Sequence, residues 1–386
     1  MRHDKAALGA AATLALVVAF PATASAHGGD WHGGGEPVTT IAGGLDGPRQ
    51  LSGYKGDRLV VAESDSGEVS SVDPYSGEVR TLLTGMGNAQ GVDHENGLLY
   101  VAVGEAAGPP PEEGAPPPAE GAAPPPAEPP AEGPSQLLVE ATPYGHVTRS
   151  FDLLAYELEH NPDGQEQWLD EAETQPADTL SNPFSVLAQD HRVLVADAGA
   201  NAVLSIDLYS GEISTFFVPP VVTDVPGCEA AENNPGTTGC DPVPTEITEG
   251  PDGLVYVGTL GAEVPGAGRV YVLDQHGKPV DVITGLTSVT GVAVDRHGTV
   301  YVSNVLEGAP EGEGPPPEGF DPTTVGQMTR ISPDGERATA EVVMPTGLEI
   351  EDGELYASAW SVGIFLGMPG VGEVQRIGDS AFAATP

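Results

Sequence analysis

The sequence predicts an all-β fold, a six-bladed β-propeller closed by an N-terminal outer strand. One observation is internal repetition, because the turn sequence DPYSGE at 73–78 is nearly duplicated as DLYSGE at 207–212. Another is that six short apolar runs, rich in β-branched residues, recur at the second-strand position of each repeat. Finally, the sixth repeat ends one strand short at 373–377, whereas a spare strand stands at 38–43 before the first repeat. Pairing these two segments closes the ring and removes its exposed edges.

The N-terminal segment 1–26 has the features of a secretory signal peptide. Arg2 and Lys5 precede an apolar run at 6–20, and Ala-Ser-Ala at 24–26 is typical of a signal peptidase site. No later segment of the sequence is long and apolar enough to predict a membrane span. We therefore expect a secreted protein without a membrane anchor.

The mature chain is predicted to consist of a flexible segment rich in glycine and histidine at 27–37, the propeller at 38–377 and a C-terminal tail at 378–386. The six blades are expected to begin at Pro48, Asn88, Asn182, Val243, Ser288 and Met344. Two tracts rich in proline and glutamate, at 108–134 and 307–319, contain too few large apolar side chains to fold. Both tracts are predicted to be disordered.

One inter-blade connection, at 151–180, is predicted to contain a short helix. The sequence LLAYELEH follows Asp152, a residue type that caps helix N-termini, and Asn-Pro-Asp-Gly at 161–164 stops it. This connection, the two proline-rich tracts, the cysteine loop and an apolar loop at 360–370 all lie on one face of the predicted ring, and the other face has only short turns. Loops on a rigid scaffold often carry function, so the loop-bearing face is expected to bind the ligand.

The composition excludes two classes of partner. The chain of 386 residues has 57 acidic and 14 basic residues and a formal charge of −43, so it repels nucleic acid and anionic membranes. Such acidity is typical of a soluble secreted surface, with adaptation to high salt as the alternative. We expect a monomer whose partner is a small polar or amphipathic ligand or another secreted protein.

The two cysteines, Cys228 and Cys240, are predicted to form a disulfide. In an oxidising compartment a close pair is more often a disulfide than a redox motif or a zinc site. In the chain-entropy description such a bond contributes roughly 3 kcal/mol, and it would hold a loop rather than take part in catalysis.

Candidate ligand-binding residues come from an alignment of the first strands of the blades. The alignment places two columns at the channel or its rim, namely Gln50, Gly91, Ser185, Glu246, Gly291 and Gly347, with Arg49, Gln90, Phe184, Thr245, Thr290 and Thr346 beside them. One interpretation is that these polar side chains only hydrate the channel and that Arg49 forms an ion pair with Glu246 across it. The functional interpretation is that Arg49, Gln90, Phe184 and Glu246 bind a small polar ligand.

Oxygen-bearing side chains on the loop-bearing face form a candidate metal site. Glu63, Asp197 and Asn304 end the second strands of their blades, and Asn182 precedes the first strand of the third blade. Carboxylate and amide oxygens are ligands for Ca²⁺ and Mg²⁺. We expect no required cofactor, with Ca²⁺ or another divalent cation as the ion these residues would hold. Asp197 is equally explained as the cap of the turn that follows it.

The apolar loop WSVGIFLGMPG at 360–370 is the candidate for an apolar contact. Its large side chains, together with Trp168 and Tyr156 of the inter-blade connection, can pack on one another as a cap over the channel mouth. Alternatively, Trp360 can belong to an open apolar patch, which suits an amphipathic ligand or a partner protein.

Several segments resemble known families. VADAGANAV at 195–203 is similar to the NHL propeller repeat, and the segments at 152–164, 181–188 and 241–258 together resemble the ScyD/ScyE family of secreted bacterial proteins. The likeness extends from about Val38 to Ile377 and implies a six-bladed propeller whose biochemical role is mostly unassigned. The proline-rich tracts and the acidity depart from the family pattern.

Two function classes remain open. The sequence contains no Walker loop, HExxH, CxxC or nucleophile elbow, which favours a non-catalytic secreted binding or scaffold propeller. The alternative is a metal-assisted hydrolase or lactonase that resembles gluconolactonase, in which Glu, Asn and Asp hold a divalent ion. Its nearest candidates are Glu246, Asn182 and Asp197, although their order and spacing differ from that family's.

Overall fold

The computed structural model describes residues 37–105, 134–165, 180–231, 238–310, 316–317 and 319–384. The predicted signal peptide, nearly all of the flexible segment at 27–37 and of the tract at 108–134, half of the tract at 307–319, and Trp168 lie outside these residues.

Six antiparallel sheets confirm the six-bladed propeller. After β1 Val38–Leu45, the strands of blades one to three are β2 Pro48–Tyr54, β3 Arg58–Glu63, β4 Glu68–Val72, β5 Val79–Leu83; β6 Ala89–Glu95, β7 Leu98–Val103, β8 Leu137–Thr142, β9 His146–Asp152; and β10 Pro183–Gln189, β11 Arg192–Asp197, β12 Ala202–Asp207, β13 Ile213–Phe217. Those of blades four to six are β14 Pro244–Glu249, β15 Val255–Thr259, β16 Gly268–Leu273, β17 Pro279–Leu286; β18 Val289–Val294, β19 Val300–Asn304, β20 Gln327–Ile331, β21 Arg337–Glu341; and β22 Leu348–Glu351, β23 Glu354–Ala359, β24 Gly372–Ile377. The first strand of each blade contacts the first strands of its neighbours and lines the channel.

The N-terminal strand closes the ring, as predicted. β1 pairs antiparallel with β24, from Val38 opposite Ile377 to Leu45 opposite Gly372. It therefore supplies the fourth, outer strand of blade six. The pairing leaves no gap between the last blade and the first, which is the physical reason that propellers close in this way.

The hydrophobic core lies between adjacent blades. Between blades two and three, for example, Leu138, Leu153, Val195 and Leu204 pack together with no exposed surface. The second strands are apolar on both faces because a sheet of another blade covers each face. The continuous apolar runs in the sequence are therefore the middles of the blades.

The two faces of the ring carry different connections. The loop face is the face where the second strands end, at Glu63, Asp197 and Asn304, and where the chain passes from one blade to the next. The turn face carries the short turns between first and second and between third and fourth strands. The first strands therefore start at the loop face and end at the turn face.

The predicted helix is α1 Leu153–His160, which follows the last strand of blade two. Asp152 Oδ1 accepts a hydrogen bond from Ala155 N–H at 2.9 Å, which satisfies a free N–H of the first turn. Asn161 ends the helix in the left-handed conformation, with φ of 40°. Both ends of the helix agree with the sequence signals.

The C-terminal tail adds a strand that the sequence does not indicate. β25 Ala383–Ala384 pairs with β21 and becomes a fifth strand of blade five. Phe382, immediately before β25, packs on Tyr301 with ring centroids 5.7 Å apart. Two residues are too few to show a strand periodicity, so this pairing is visible only in the folded ring.

The predicted disulfide joins Cys228 and Cys240, with Cα atoms 5.1 Å apart. Both residues are buried, and an isolated β-bridge pairs Val222 with Cys240. The bond holds the connection between blades three and four. Within the described ranges, no helix is long and apolar enough to cross a membrane.

Candidate ligand site in the central channel

The side chain of Gln50, in the middle of β2, crosses the central channel. Its amide oxygen accepts hydrogen bonds from Val92 N–H at 3.0 Å and from Val186 N–H at 2.9 Å. Its amide nitrogen donates to the Val186 carbonyl oxygen at 2.7 Å and to Glu246 Oε1 at 3.3 Å. One side chain therefore links the inner strands of blades one, two, three and four.

Glycines at the equivalent positions of blades five and six allow the inner strands to approach closely. A Cβ atom at Gly291 would overlap the Thr346 carbonyl oxygen, and one at Gly347 would overlap the Arg49 carbonyl oxygen. Any larger residue would push the strands apart, which is a common reason for glycine inside a strand. The channel is therefore narrow at the level of Gln50.

Glu246, in β14, is 3% exposed and has one carboxylate oxygen to which no described residue donates a hydrogen bond. Its Oε1 accepts hydrogen bonds from Ser185 Oγ at 2.5 Å and from Ile247 N–H at 2.9 Å, besides the contact from Gln50. Burial raises the pKa of Glu246 to about 8, with a further contribution from the negative charge of Asp93, although the hydrogen bonds oppose it.

Asp93, in β6, bridges three blades. Its Oδ1 accepts hydrogen bonds from Ser52 Oγ and from His94 N–H, and its Oδ2 accepts one from Ala188 N–H at 2.7 Å. Burial raises the pKa of Asp93 to about 6, against the effect of these hydrogen bonds. Asp93 therefore holds a proton at a higher pH than a solvated aspartate does.

Glu349, in β22, is the third carboxyl group of the channel. Burial raises the pKa of Glu349 well above its usual value, and the charges of Asp93, Glu351 and Glu246 add to this shift. Like charges close together in a poorly solvated place cannot all ionise without cost. The three carboxyl groups therefore titrate as a coupled set.

These carboxyl groups line one cavity of about 200 Å³. The cavity extends from Gln50 to Glu249, the last residue of β14, so it occupies the half of the channel nearer the turn face. The rest of its polar lining consists of the amide of Gln50, the carboxyl group of Glu249 and the hydroxyl groups of Ser52 and Thr248, and none of the residues that line it is basic. The site is therefore an acidic cavity whose carboxyl groups have no basic partner in the lining.

Among the residues predicted to bind a ligand, Glu246 lines this cavity and Arg49 does not. Arg49 Nε donates to Ser64 Oγ at 3.0 Å, and its guanidinium group is close to the charge of Asp65. The ion pair between Arg49 and Glu246 does not form. Neighbouring residues of a strand point in opposite directions, and Gln50 takes the position that faces the channel.

The other predicted ligand-binding residues lie nearer the loop face. Gln90 is buried and donates from Nε2 to Asn88 Oδ1 at 2.9 Å, and Phe184 is half-buried. Trp360 is also half-buried and packs beside the cluster of Val305 and Met344. A ligand site on these residues remains a prediction.

Asp197, one of the predicted metal ligands, has both carboxylate oxygens bonded within its own blade. Its Oδ1 accepts hydrogen bonds from Asn182 N–H at 2.7 Å and from Ala200 N–H at 3.2 Å, and its Oδ2 accepts one from Ser181 Oγ at 2.6 Å. This geometry is that of a residue that caps the turn after β11.

The other three predicted metal ligands lie in separate hydrogen-bond networks. Asn182 Oδ1 accepts from Glu105 N–H at 3.0 Å, Glu63 Oε2 from Asp46 N–H at 2.9 Å, and Asn304 Oδ1 from Leu306 N–H at 3.2 Å. Each of these oxygens binds a backbone donor, as turn-stabilising side chains do. A metal site on these residues remains a prediction.

The part of the chain that the structure describes contains one group of at least three acidic, histidine or cysteine side chains with ligand atoms within 4.8 Å of one another. It consists of Asp57, Glu351 and Asp352, two of which are exposed. The group lies on the turn face, where blades one and six meet. Asp93, Glu246 and Glu349 form no such group, so the channel carboxylates are spread around the cavity.

Sequence reasoning missed Ser52, Asp93 and Glu349. A signal for them exists, because each lies two residues after the aligned column that contains Gln50 and Glu246, and residues two apart share a strand face. An alignment extended by two residues along each first strand, toward the turn face, places all three residues in the channel.

Comparison with known proteins supports the propeller fold. No family model and no curated protein matches this chain. Among solved structures, the chain is similar to a protein of Thermus thermophilus assigned as an oxidoreductase (glucose dehydrogenase), with a TM-score of 0.51, 14% identity and coverage of 88% of this chain and 98% of that one.

Two further solved structures are similar at the same level. A gluconolactonase of Xanthomonas campestris has a TM-score of 0.50 and 9% identity over 88% of this chain and 89% of its own. A luciferin-regenerating enzyme has a TM-score of 0.50 and 9% identity over 90% of this chain and 97% of its own. At such identities the similarity shows a shared fold, and the likeness to the ScyD/ScyE family remains an expectation from the sequence.

Proposed function

We propose that this protein is a secreted, non-catalytic binding propeller whose channel cavity takes a small organic cation. The observation that carries the proposal is that Asp93, Glu246 and Glu349, from three different blades, surround one cavity that no basic residue lines. A cationic ligand supplies the positive charge that this lining lacks, and it gives the unbonded Oε2 of Glu246 a donor.

The size of the cavity favours an organic cation over a bare metal ion. A volume of about 200 Å³ exceeds what one ion needs, since a water molecule occupies about 30 Å³ of liquid. It is smaller than the roughly 300–1,000 Å³ typical of pockets for drug-sized ligands. The channel carboxylates are also too widely spread to form a three-carboxylate group of the metal-binding kind. A small primary amine or an amino sugar fits both the volume of the cavity and the wide spacing of its carboxyl groups.

The raised pKa values give the proposed binding a measurable signature. Because the pKa of Glu246 is about 8 and that of Glu349 is well above its usual value, the free cavity holds protons at pH 7.5. An ammonium group that binds there stabilises the ionised carboxylates and displaces protons. Binding should therefore release protons into the buffer.

The experiment is isothermal titration calorimetry of the purified protein at pH 7.5 with ethanolamine, putrescine and glucosamine, in two buffers of different ionisation enthalpy. Glucose, Ca²⁺ and acetate serve as ligand controls. We expect at least one amine to bind with a heat that depends on the buffer, and Glu246→Gln to weaken it roughly tenfold or more. Glu212→Gln, on an exposed turn of blade three, should leave the affinity unchanged. Equal binding of glucose and glucosamine, or no effect of Glu246→Gln, would contradict the proposal.

The unbonded oxygen of Glu246 also supports a second candidate, a divalent-metal-dependent hydrolase of the gluconolactonase type. Glu246 and Glu349 offer the hard oxygens that such an ion binds, and the ion would polarise a lactone carbonyl. The other residues considered for this role, Asn182 and Asp197, have their oxygens engaged by protein donors. Hydrolysis of δ-gluconolactone by the Ca²⁺-, Mn²⁺- or Zn²⁺-loaded protein, abolished by Glu246→Gln, would favour this candidate over the first.

A further inference from the structure

A second cavity, of about 470 Å³, lies on the turn face between blades five and six. Its walls come from the turn at 295–297, the turn at 353–354 and the tail segment 378–382. The volume is within the range of pockets that hold small organic ligands, roughly 300–1,000 Å³. The cavity belongs to neither the central channel nor the loop face.

Arg296 lines this cavity and has no oxygen partner. Arg296 donates a hydrogen bond from Nε to His297 Nε2 at 3.1 Å, and the terminal nitrogens of its guanidinium group have no hydrogen-bond acceptor among the described residues. Every other arginine in the described ranges contacts a carboxylate, carbonyl, amide or hydroxyl oxygen. In a chain with a formal charge of −43, an arginine that lines a cavity and contacts no carboxylate can donate paired hydrogen bonds to an external anion.

The acidic side chains of the cavity are already engaged. Asp295 Oδ1 accepts hydrogen bonds from His297 N–H at 2.8 Å and from Thr299 N–H at 2.9 Å. Glu354 lies 4.0 Å from Arg376, and Asp379 lies 3.6 Å from Arg330. Glu354 and Asp379 are therefore paired with arginines, and Asp295 with backbone donors. Arg296 is the arginine of the cavity wall that contacts no carboxylate among the described residues.

The remaining wall is aromatic and aliphatic. Tyr301 and Phe382 are tilted against each other at 57°, and Arg330 lies over the ring of Phe382 at 5.0 Å from its centroid. Ile350 and Leu355 line the same cavity. A flat apolar ring can pack against such a surface through offset or edge contacts with the aromatic side chains.

We propose that this cavity binds a small aromatic carboxylate, with its carboxylate on Arg296 and its ring against Tyr301 and Phe382. A ligand with a single negative charge suits the site, because the carboxylates of Asp295, Glu354 and Asp379 line the same cavity and would repel a second negative charge. The tail segment forms part of the site, since the pairing of β25 with β21 places Phe382 in the wall. The site is independent of the proposed channel ligand and takes the opposite charge.

The test titrates phenylacetate into the full-length protein and measures binding by isothermal titration calorimetry and by ligand-observed NMR. Phenylacetamide, which has the same ring without the charge, is the matched ligand control. We expect phenylacetate to bind at least tenfold more tightly than the amide. Arg296→Gln should remove this difference, and Phe382→Leu should weaken both ligands. Arg80→Gln, at a side chain 64% exposed in blade one, should change neither.

Several outcomes separate this site from the channel. Glu246→Gln should leave phenylacetate binding unchanged, so failure of the channel proposal does not affect this one. Because Arg296 is exposed, its substitution should leave the melting temperature unchanged, and a loss of binding would not reflect unfolding. Absence of phenylacetate binding, equal affinity for the amide, or full affinity in Arg296→Gln would overturn the proposal.

Discussion

Asp197 on the loop face and Glu246 in the channel are both buried carboxylates with raised pKa values, yet they differ in how their oxygens are used. Both oxygens of Asp197 accept hydrogen bonds from its own blade. Glu246 has all of its hydrogen bonds on Oε1, and they come from two other blades and its own strand. Asp197 therefore stabilises a turn, whereas Glu246 has a second carboxylate oxygen that can accept a hydrogen bond from a ligand in the cavity.

This difference explains why an oxygen-rich pattern in the sequence did not identify the site. On the loop face, carboxylates and amides follow the ends of strands, where backbone N–H groups need acceptors, so the local chain uses these oxygens. In the channel, the inner-strand N–H groups that no neighbouring strand pairs are bonded largely by side chains of other blades, such as those of Val92 and Val186 by Gln50 and that of Ala188 by Asp93. Side chains there bond across blades or face the cavity.

The largest expected effect concerns Asp197. Asp197→Ala should lower the free energy of unfolding by roughly 4 kcal/mol, because it leaves Ser181 and two buried N–H groups without an acceptor. Urea unfolding measures this change. Asp207→Ala, at an exposed turn of the same blade, is the control and should cost much less, because water can replace the lost acceptor there. A Ca²⁺-dependent rise in melting temperature that Asp197→Asn abolishes would contradict a purely structural role.

The second prediction is a loss of stability as the pH rises. The folded pKa values of Asp93 and Glu246, about 6 and about 8, exceed those of solvated carboxyl groups. Between the solvated and the folded pKa value of each group, the folded state therefore binds more protons than the unfolded state. The free energy of unfolding should therefore fall by roughly 3 kcal/mol between pH 5 and pH 8. Scanning calorimetry at several pH values measures it, and a saturating amine should flatten the profile. A stability that does not fall over this range would contradict the raised pKa values of the channel carboxyl groups.

The third prediction assigns this pH dependence to the channel. Glu246→Gln keeps an acceptor for Ser185 and Ile247 but removes the group that must ionise. It should stabilise the protein by roughly 2 kcal/mol at pH 8 and have little effect at pH 5. Asp197→Asn should destabilise at both pH values, because Asp197 loses an acceptor that protein donors use. Equal effects of the two substitutions would mean that the two sites do not differ as the structure indicates.

The smallest predicted effect concerns Trp360. Because it is half-buried beside Val305 and Met344, Trp360→Ala should cost roughly 1.5 kcal/mol, less than a fully buried tryptophan. Trp360 also has a φ of 55°, which disfavours residues with a Cβ atom. Trp360→Gly should therefore be up to about 1 kcal/mol more stable than Trp360→Ala. A stability unchanged in both variants would favour the open patch over the cap.

The sequence by itself determined the features whose signals are local or repeated. The apolar runs and the duplicated turn fixed the number of blades, and the unmatched strand at 38–43 fixed the closure. The helix ends at Asp152 and Asn161 and the bond between Cys228 and Cys240 followed from neighbouring residues. The two positions of the inner-strand alignment that mattered most, Gln50 and Glu246, were also placed in the channel correctly.

Only the tertiary structure decided which side chains meet. Register shifts near the start of the inner strands, such as those between Pro48 and Leu51 and between Ala89 and Gly91, set which residue faces the channel. They turned Arg49 away and left Asp93 beside a cavity that it shares with residues of distant blades. The wall that Phe382 forms beside Arg296 likewise depends on a two-residue strand. Contacts between residues more than 100 positions apart depend on strand register within the closed ring, and no local pattern in the sequence encodes that register.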